Sequence, residues 1–506
     1  MIATTVTAAS FVQGFLYFVG VFFVLYLIGY STFLFLSVTV GSSILYRRKR
    51  EAHYKSTLEV DCYVPITIIV PAHNESVTVE SSLRSLLNLD YTLYEVIVVD
   101  DGSTDDTAQV VVDAFGLHPI ERPIRRQVPC APELGVWYGR VGRVPVTLIS
   151  KENGGKADAL NMGINASQYP YFICIDADSV LQYDSLREVS APLVEHENVV
   201  AVGGLVRISN GIRIKDGRLT NYSLPKKIIP AMQVLEYDRS FLSARILFDQ
   251  FNGNLIISGA FGLFRKDLAI ACGGYDLDTV GEDMELVTKL HVFCRTNGHD
   301  YLIKYAPDAI CWSQAPETLR DLVRQRRRWH TGLFETMTKH WRMFANLRFG
   351  LVSFFSYTYF LIYELLSPAI ELFGLLTVVL AVAFNFINIP FMLMFFGIYA
   401  VFGAVMSLTA FFSRVQTRDL KLSLRDVAKA LLLSLFEVTV LRFVLATTRM
   451  FALLGYRRSD RRWGSIKRQK IDAENSACVR PPPSHRAARP GSPASCWAST
   501  PPPMPC

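Results

Sequence analysis

Charge is scarce in these 506 residues. Only 19% are Asp, Glu, Lys or Arg, where ordinary soluble domains carry about 25%. Half of the chain is hydrophobic and the mean hydropathy is +0.25, which excludes a wholly soluble protein. Long apolar runs are nevertheless missing between residues 51 and 350: nothing there reaches the roughly 20 residues that a bilayer crossing needs, so a pure membrane bundle is excluded too. The nine cysteines are odd in number and lack CxxC spacing, which argues against a disulfide framework or a zinc site and for a reducing compartment. A positive n-region and a small-residue cleavage site after the first apolar run are also lacking, so no secretory signal is expected. What charge there is leans positive, 52 Lys and Arg against 45 Asp and Glu, or +7. Much of the excess flanks apolar runs, at Arg47–Arg50, Arg457-Arg458, Arg461-Arg462 and Lys467–Lys470. Such flanks mark the cytoplasmic side of a bilayer with anionic lipid, and no nucleic-acid partner is expected. The chain reads as a water-soluble domain held between membrane segments.

Four stretches divide it. Residues 11–46 are apolar or small almost throughout and read as one long tilted transmembrane helix. Residues 60–335 alternate short apolar runs with helical stretches. Strands are expected at 66–70, 95–99, 146–149 and 171–175, and helices at 76–88, 105–115 and 156–166. Repeated βα units imply a parallel sheet with helices on both faces, and such sheets bind ligands at the carboxyl ends of their strands. The Pro-, Gly- and Arg-rich piece 116–145 interrupts this rhythm and reads as a surface insertion. Residues 336–455 hold further apolar segments at 351–387 (broken near Ser367-Pro368), 391–412 and 431–455. The last is interrupted by Glu437, Arg442 and Arg449 and reads as interfacial or re-entrant. Residues 456–506 form a basic, then Pro- and Ser-rich tail, with disorder expected over 479–506.

The predicted strands end in polar residues. Asp176-Ala177-Asp178 puts two carboxylates on the same side of an extended chain, and hard oxygen ligands of this kind suit Mg²⁺ or Mn²⁺ bound jointly with a diphosphate. Asp100-Asp101 ends another strand. Alone, either motif also reads as a turn or a helix cap. Two acidic ends in one sheet, however, repel unless a cation or a ligand's donors lie between them. Gly154-Gly155-Lys156 precedes a helix and offers backbone approach plus a cation for phosphate; it is not a Walker A loop. Asp283, after Glu282, is an N-cap or a general base. Gln325-Arg326-Arg327-Arg328-Trp329 lies on a helix, where Arg forks suit diphosphate and an aromatic face suits sugar C–H surfaces. The same residues would equally suit a basic helix at a membrane surface.

In chain order, Pro71–Glu75, Asp100-Asp101, Gly155-Lys156, Asp176/Asp178, Glu282-Asp283 and Gln325…Arg328-Trp329 resemble the membrane-embedded, processive members of glycosyltransferase family 2, over about residues 64–332. The resemblance implies an α/β GT-A fold, a Rossmann-like nucleotide-sugar domain inserted between transmembrane helices. It also implies inverting, metal-dependent transfer from a UDP-sugar, with GlcNAc or glucose as the sugar, to a growing β-linked polysaccharide. By the same resemblance Ala72, Glu75, Asp100 and Lys156 line the nucleotide pocket, and Asp178 with Asp176 holds Mg²⁺ or Mn²⁺ and the diphosphate. Asp283, beside Glu282, is the base, while Gln325, Arg328 and Trp329 bind the diphosphate and acceptor. The partners implied are the UDP-sugar, a glycan or lipid-linked acceptor, the bilayer, and an accessory subunit as the source of any regulation. One departure stands out: Gly281 precedes Glu282 where many members have Thr or Ser.

Two other readings compete. A single-transfer enzyme acting on a membrane lipid would often lack the Gln325…Trp329 motif, and an inactive scaffold would have eroded carboxylates. Glu364 and Glu371, seven residues apart and so on one helical face, are candidates for a polar channel lining.

Overall fold

The computed structural model describes residues 2–55, 63–215, 218–385, 388–418 and 423–454; the expected disordered tail lies outside them. Ten strands form one sheet: β1 (Ile66–Ala72), β2 (Tyr94–Asp101), β3 (His118–Pro119), β4 (Glu133–Val141), β5 (Val144–Lys151), β6 (Tyr171–Cys174), β7 (Val180–Leu181), β8 (Val199–Ile208), β9 (Gly262–Arg265) and β10 (Leu302–Ser313). Their spatial order is β3-β4-β5-β2-β1-β6-β9-β8-β10-β7. The centre is parallel, as the βα rhythm predicts, with Ala72 beside Asp100 and Asp100 beside Ser150. The flanks are not. β9 runs antiparallel between β6 and β8, and β4 pairs antiparallel with β5. The sheet is therefore mixed, and the segment expected to be an insertion instead supplies the two strands at one edge, β3 and β4. Pro and Gly there mark the loops, while the strand itself lies in the polar-interleaved 133–141, whose one-sided exposure hides it from a search for apolar runs.

Continuous apolar strands mean burial on both faces. In β1 and β2, Ile66, Ile68, Val70, Val96 and Val98 join one core with residues of α2 (Val79–Leu86), α3 (Thr107–Phe115) and α5 (Ser185–Glu195). The alternate residues Ile69, Ile97 and Val99 join a second core with α4 (Lys156–Ala166), α8 (Lys266–Ala271) and α9 (Glu282–Thr296). After β8 the chain forms α6 (Ile228–Arg239), a π-helix (Ser240–Ala244) and α7 (Arg245–Asp249). α10 (Leu319–Lys339) follows β10, capped by Thr318, whose side chain accepts from the Asp321 amide at 3.2 Å.

The remaining helices are α1 (Ile2–Lys55), α11 (Ser367–Ala383), α12 (Ile389–Arg418), α13 (Leu424–Phe436) and α14 (Arg442–Leu454). Among the described residues Gly14–Glu51, Ile389–Ser413 and Leu424–Leu453 are long and apolar enough to cross a membrane, and the pair 352–365 and 367–383 is bent by 48°. The bend falls where Pro368 opens α11, a position that needs no backbone donor. Residues 431–453 thus belong to one continuous apolar stretch, Leu424–Leu453. The charges that suggested an interfacial placement are paired: Glu437 with Arg239 at 2.9 Å, Arg442 with Glu371 at 2.7 Å, and Arg449 with Glu364 at 3.8 Å.

Candidate active site

The loop that carries Lys156 is held from below by a buried charge cluster. Lys151, fully buried at the end of β5, sits 2.5 Å from Asp101 and 2.7 Å from Asp158. Asp101 also accepts from the amides of Gly154 (3.0 Å) and Gly155 (2.7 Å). A buried ammonium needs such partners, so Asp101 is committed to the loop. Asp100, on the opposite side of the strand, accepts from Ser150 Oγ at 3.0 Å and from the Ser103 amide at 3.3 Å. Ala72 is buried beside it at the end of β1. Glu75 begins the next turn, its amide bound to Thr107 and its carboxylate accepting from Thr78 at 2.7 Å.

Lys156 reaches over the carboxyl edge of the sheet, 2.5 Å from Asp176 and 3.6 Å from Glu282. Burial alone would lower its pKa, but Asp176, Glu282 and Asp283 outweigh it and hold the pKa above the ordinary lysine value. Burial, with Asp283 adjacent, raises Glu282, offset in part by Lys156. Asp283 lies in the first turn of α9, where its two oxygens accept from the Gly259 amide (3.0 Å) and its neighbour Met284's amide (2.8 Å).

A cavity of about 480 Å³ connects these groups to α10 and to the apolar helices. Lys156, Asp176, Glu282, Asp283, Gln325, Arg328 and Trp329 all line it; Ala72, Glu75, Asp100 and Asp178 do not. The predicted residues thus separate into a strand-end group and a cavity group, with Lys156 and Asp176 on the cavity side. On α10, Arg328 and Trp329 are exposed, whereas Arg326 is buried against Glu236 at 2.7 Å and lies over the Trp329 ring at 4.4 Å. Sequence reasoning named Asp101 and Arg326 within motifs without giving either a role of its own and passed over Lys151, and only long-range partners distinguish the three from their neighbours.

Gly281 has a steric reason. A Cβ there would stand 2.7 Å from Gly332 Cα, and one on Gly332 would stand 2.6 Å from Gly281 Cα. Backbone touches backbone where the loop bearing Glu282 and Asp283 meets α10, and neither Thr nor Ser fits at that spacing.

Among the described residues no three His, Cys, Asp or Glu side chains gather to hold a metal. Two carboxylates, Asp176 and the buried Asp178, suffice for Mg²⁺ or Mn²⁺ of the kind that takes its other ligands from phosphate and water. The donor set fits that use.

A family model described as glycosyltransferase like family 2 matches residues 128–332, and one described as glycosyl transferase family 2 matches residues 67–129. The poly-beta-1,6-N-acetyl-D-glucosamine synthases of Staphylococcus epidermidis and Staphylococcus aureus strain COL are 30% identical over 318 and 320 residues, 62% of this chain. The chain spans 66% of the length of those relatives, just under two thirds. Among solved structures, a mannosyltransferase from Pyrobaculum calidifontis in complex with GDP-Man and Mn²⁺ is 19% identical, covering 77% of this chain and 98% of that one with a TM-score of 0.45. The mixed sheet with acidic strand ends agrees with the GT-A fold expected of that family.

Proposed function

The chain belongs to glycosyltransferase family 2, and on that premise we propose that it is an inverting polysaccharide synthase. It transfers N-acetylglucosamine from its UDP conjugate to the end of a growing β-linked glycan and passes the polymer across the membrane. The observation that carries this reading is the single cavity running from Asp176, Glu282 and Asp283 past Trp329 to Tyr363, Glu371 and Tyr399 on the apolar segments. A polymer too polar for lipid needs such continuity between the reacting end and the bilayer helices. The names of the staphylococcal relatives favour N-acetylglucosamine over glucose as the sugar. The basic run Arg47–Arg50 at the end of the first apolar helix supports a multi-pass protein with its catalytic domain on the cytoplasmic side.

In the transfer, the acceptor oxygen bonds to the anomeric carbon as the bond from that carbon to the diphosphate breaks, inverting the centre. Asp283 takes the acceptor proton; its amide contacts with Gly259 and Met284 aim the carboxylate and disperse its charge. Lys156, kept charged by its carboxylate neighbours, and Arg328 offset the negative charge that builds on UDP. Asp176 and Asp178 would hold Mg²⁺ or Mn²⁺, which when bound neutralises the diphosphate. Trp329 offers its exposed face to the acceptor ring.

The test is UDP release by the purified, detergent-solubilised protein with Mn²⁺ or Mg²⁺, across UDP-GlcNAc, UDP-glucose, UDP-glucuronate and UDP-galactose. Release with UDP-GlcNAc, lost in Asp283→Asn and yielding a high-mass product sensitive to a glycosidase, is expected. A product soluble only in organic solvent would replace the polymer with a single-transfer lipid acceptor.

A further inference from the structure

Most cations on the cavity wall are paired with a carboxylate. Lys156 meets Asp176 at 2.5 Å, Arg239 meets Glu437 at 2.9 Å, Arg326 meets Glu236 at 2.7 Å, Arg442 meets Glu371 at 2.7 Å, and Arg449 lies 3.8 Å from Glu364. Arg328 is exposed and solvated. Arg245 differs from all of these. It is buried (9% exposed), lines the same cavity, and has no carboxylate ion pair among the described residues. Among the described residues its guanidinium donates one hydrogen bond, from Nη1 to the Ile256 carbonyl at 3.3 Å. Burial pushes its pKa below the ordinary guanidinium value, with Tyr305, Asp283 and Tyr237 opposing. Arginine has five donors and no acceptor, and no Arg245 nitrogen is among the fully enclosed atoms that lack a partner, so the donors left over open onto the cavity and can bond a ligand there.

Its setting indicates what matches them. Arg245 lies 4.0 Å over the Phe241 ring, Phe241 stacks on Tyr237 at 5.6 Å, and Tyr237 lies 6.4 Å from Trp329. These four residues form a continuous cation–aromatic wall of the cavity. Aromatic faces suit the C–H surfaces of sugar rings, and a donor-only fork beside them suits a fixed carbonyl oxygen better than a hydroxyl, which can turn and bond elsewhere. Lys156 and Arg328, by contrast, stand with Glu282, whose titration both of them influence, and already serve the diphosphate.

Resting on the synthase reading above, we propose that Arg245 is a specificity-determining residue that donates to the acetamido carbonyl of the acceptor sugar. A site built to bond such a group discriminates strongly against an analogue that lacks it.

The experiment compares elongation of a short β-1,6-linked N-acetylglucosamine oligosaccharide with that of its glucose counterpart, UDP-GlcNAc being the donor in both. Wild type, Arg245→Met and Arg245→Lys are compared in detergent, with UDP affinity measured alongside. The acceptor KM of the wild type is expected to be about ten-fold lower for the acetylated oligosaccharide. Arg245→Met abolishes that preference by raising the acetylated KM alone, and Arg245→Lys keeps only part of it. Should Arg245→Met not fold, the lysine variant, which keeps the charge and loses the fork, carries the comparison. An unchanged preference overturns the assignment. A weakened UDP affinity with both acceptor KM values unchanged also overturns it, placing the guanidinium on the diphosphate. Failure of the wild-type protein to release UDP from UDP-GlcNAc would instead defeat the synthase reading itself.

Discussion

Gly281 and Gly332 touch through their backbones: a Cβ added to Gly281 would lie 2.7 Å from Gly332 Cα. The contact locks the turn before Glu282 and Asp283 against α10, the helix that carries Gln325, Arg328 and Trp329. The proposed base and the proposed acceptor platform therefore share one spacing, and that spacing is set without side chains.

Gly281→Ala should separate the two elements by a few tenths of an ångström or more. Misplacement on that scale costs up to about 100-fold in turnover. Steady-state kinetics should show the loss mainly in kcat, while UDP affinity, to which the proposed pocket residues Ala72, Glu75 and Asp100 contribute outside this contact, falls less. Full activity in Gly281→Thr would show that the contact is dispensable.

Asp283→Asn keeps the shape, can accept from only one of the two amides of Gly259 and Met284, and removes the proposed base. Transfer should fall by about 10²–10⁴-fold with the circular dichroism spectrum unchanged. Donor binding, followed by isothermal calorimetry with UDP, should survive.

Chelation addresses the Asp176/Asp178 pair. EDTA treatment should stop UDP release, Mn²⁺ or Mg²⁺ should restore it, and Asp178→Asn should resist restoration at ordinary metal concentrations. Activity that persists in EDTA would remove the metal from the proposal.

The buried His291 makes stability depend on pH. Burial lowers its pKa to about 4, despite the Asn254 carbonyl at 2.9 Å, whereas an unfolded histidine titrates near 6.5. The unfolded chain therefore binds a proton first as pH falls. The contribution is complete above about pH 6.5 and is lost as pH drops through about 4, amounting to about 3 kcal/mol. Thermal unfolding between pH 7 and pH 4 should show this decline, and His291→Gln should flatten it.

Glu371→Leu removes one partner of Arg442, which also lies 5.0 Å from the Tyr30 ring. Arg442 is half-buried, so stranding its charge costs less than the roughly 3 kcal/mol of a fully buried one, and removing both partners recovers much of the loss. Melting temperatures in detergent of Glu371→Leu, Arg442→Leu and the double variant should show that non-additivity. An additive double variant would mean the pair is not coupled.

Much of this protein was determined by its sequence alone. Ile66–Val70 and Glu95–Val99 are apolar on both faces, which only a sheet covered by helices on each side tolerates. The polar strand ends and Lys156 at a helix start marked the edge proposed to bind the ligand, because local chemistry brings those residue types there. The tertiary structure decided between neighbours. Asp100 and Asp101 are identical in type, yet strand alternation turns Asp101 toward Lys151 and leaves Asp100 to the strand-end group. Arg326 and Arg328 share a helix, but only Arg326 faces Glu236. The antiparallel β9 between β6 and β8 and the Gly281–Gly332 contact likewise join residues far apart in the chain. Periodicity reports which face of an element is buried. Which partner waits on that face depends on packing between elements, and no local pattern encodes it.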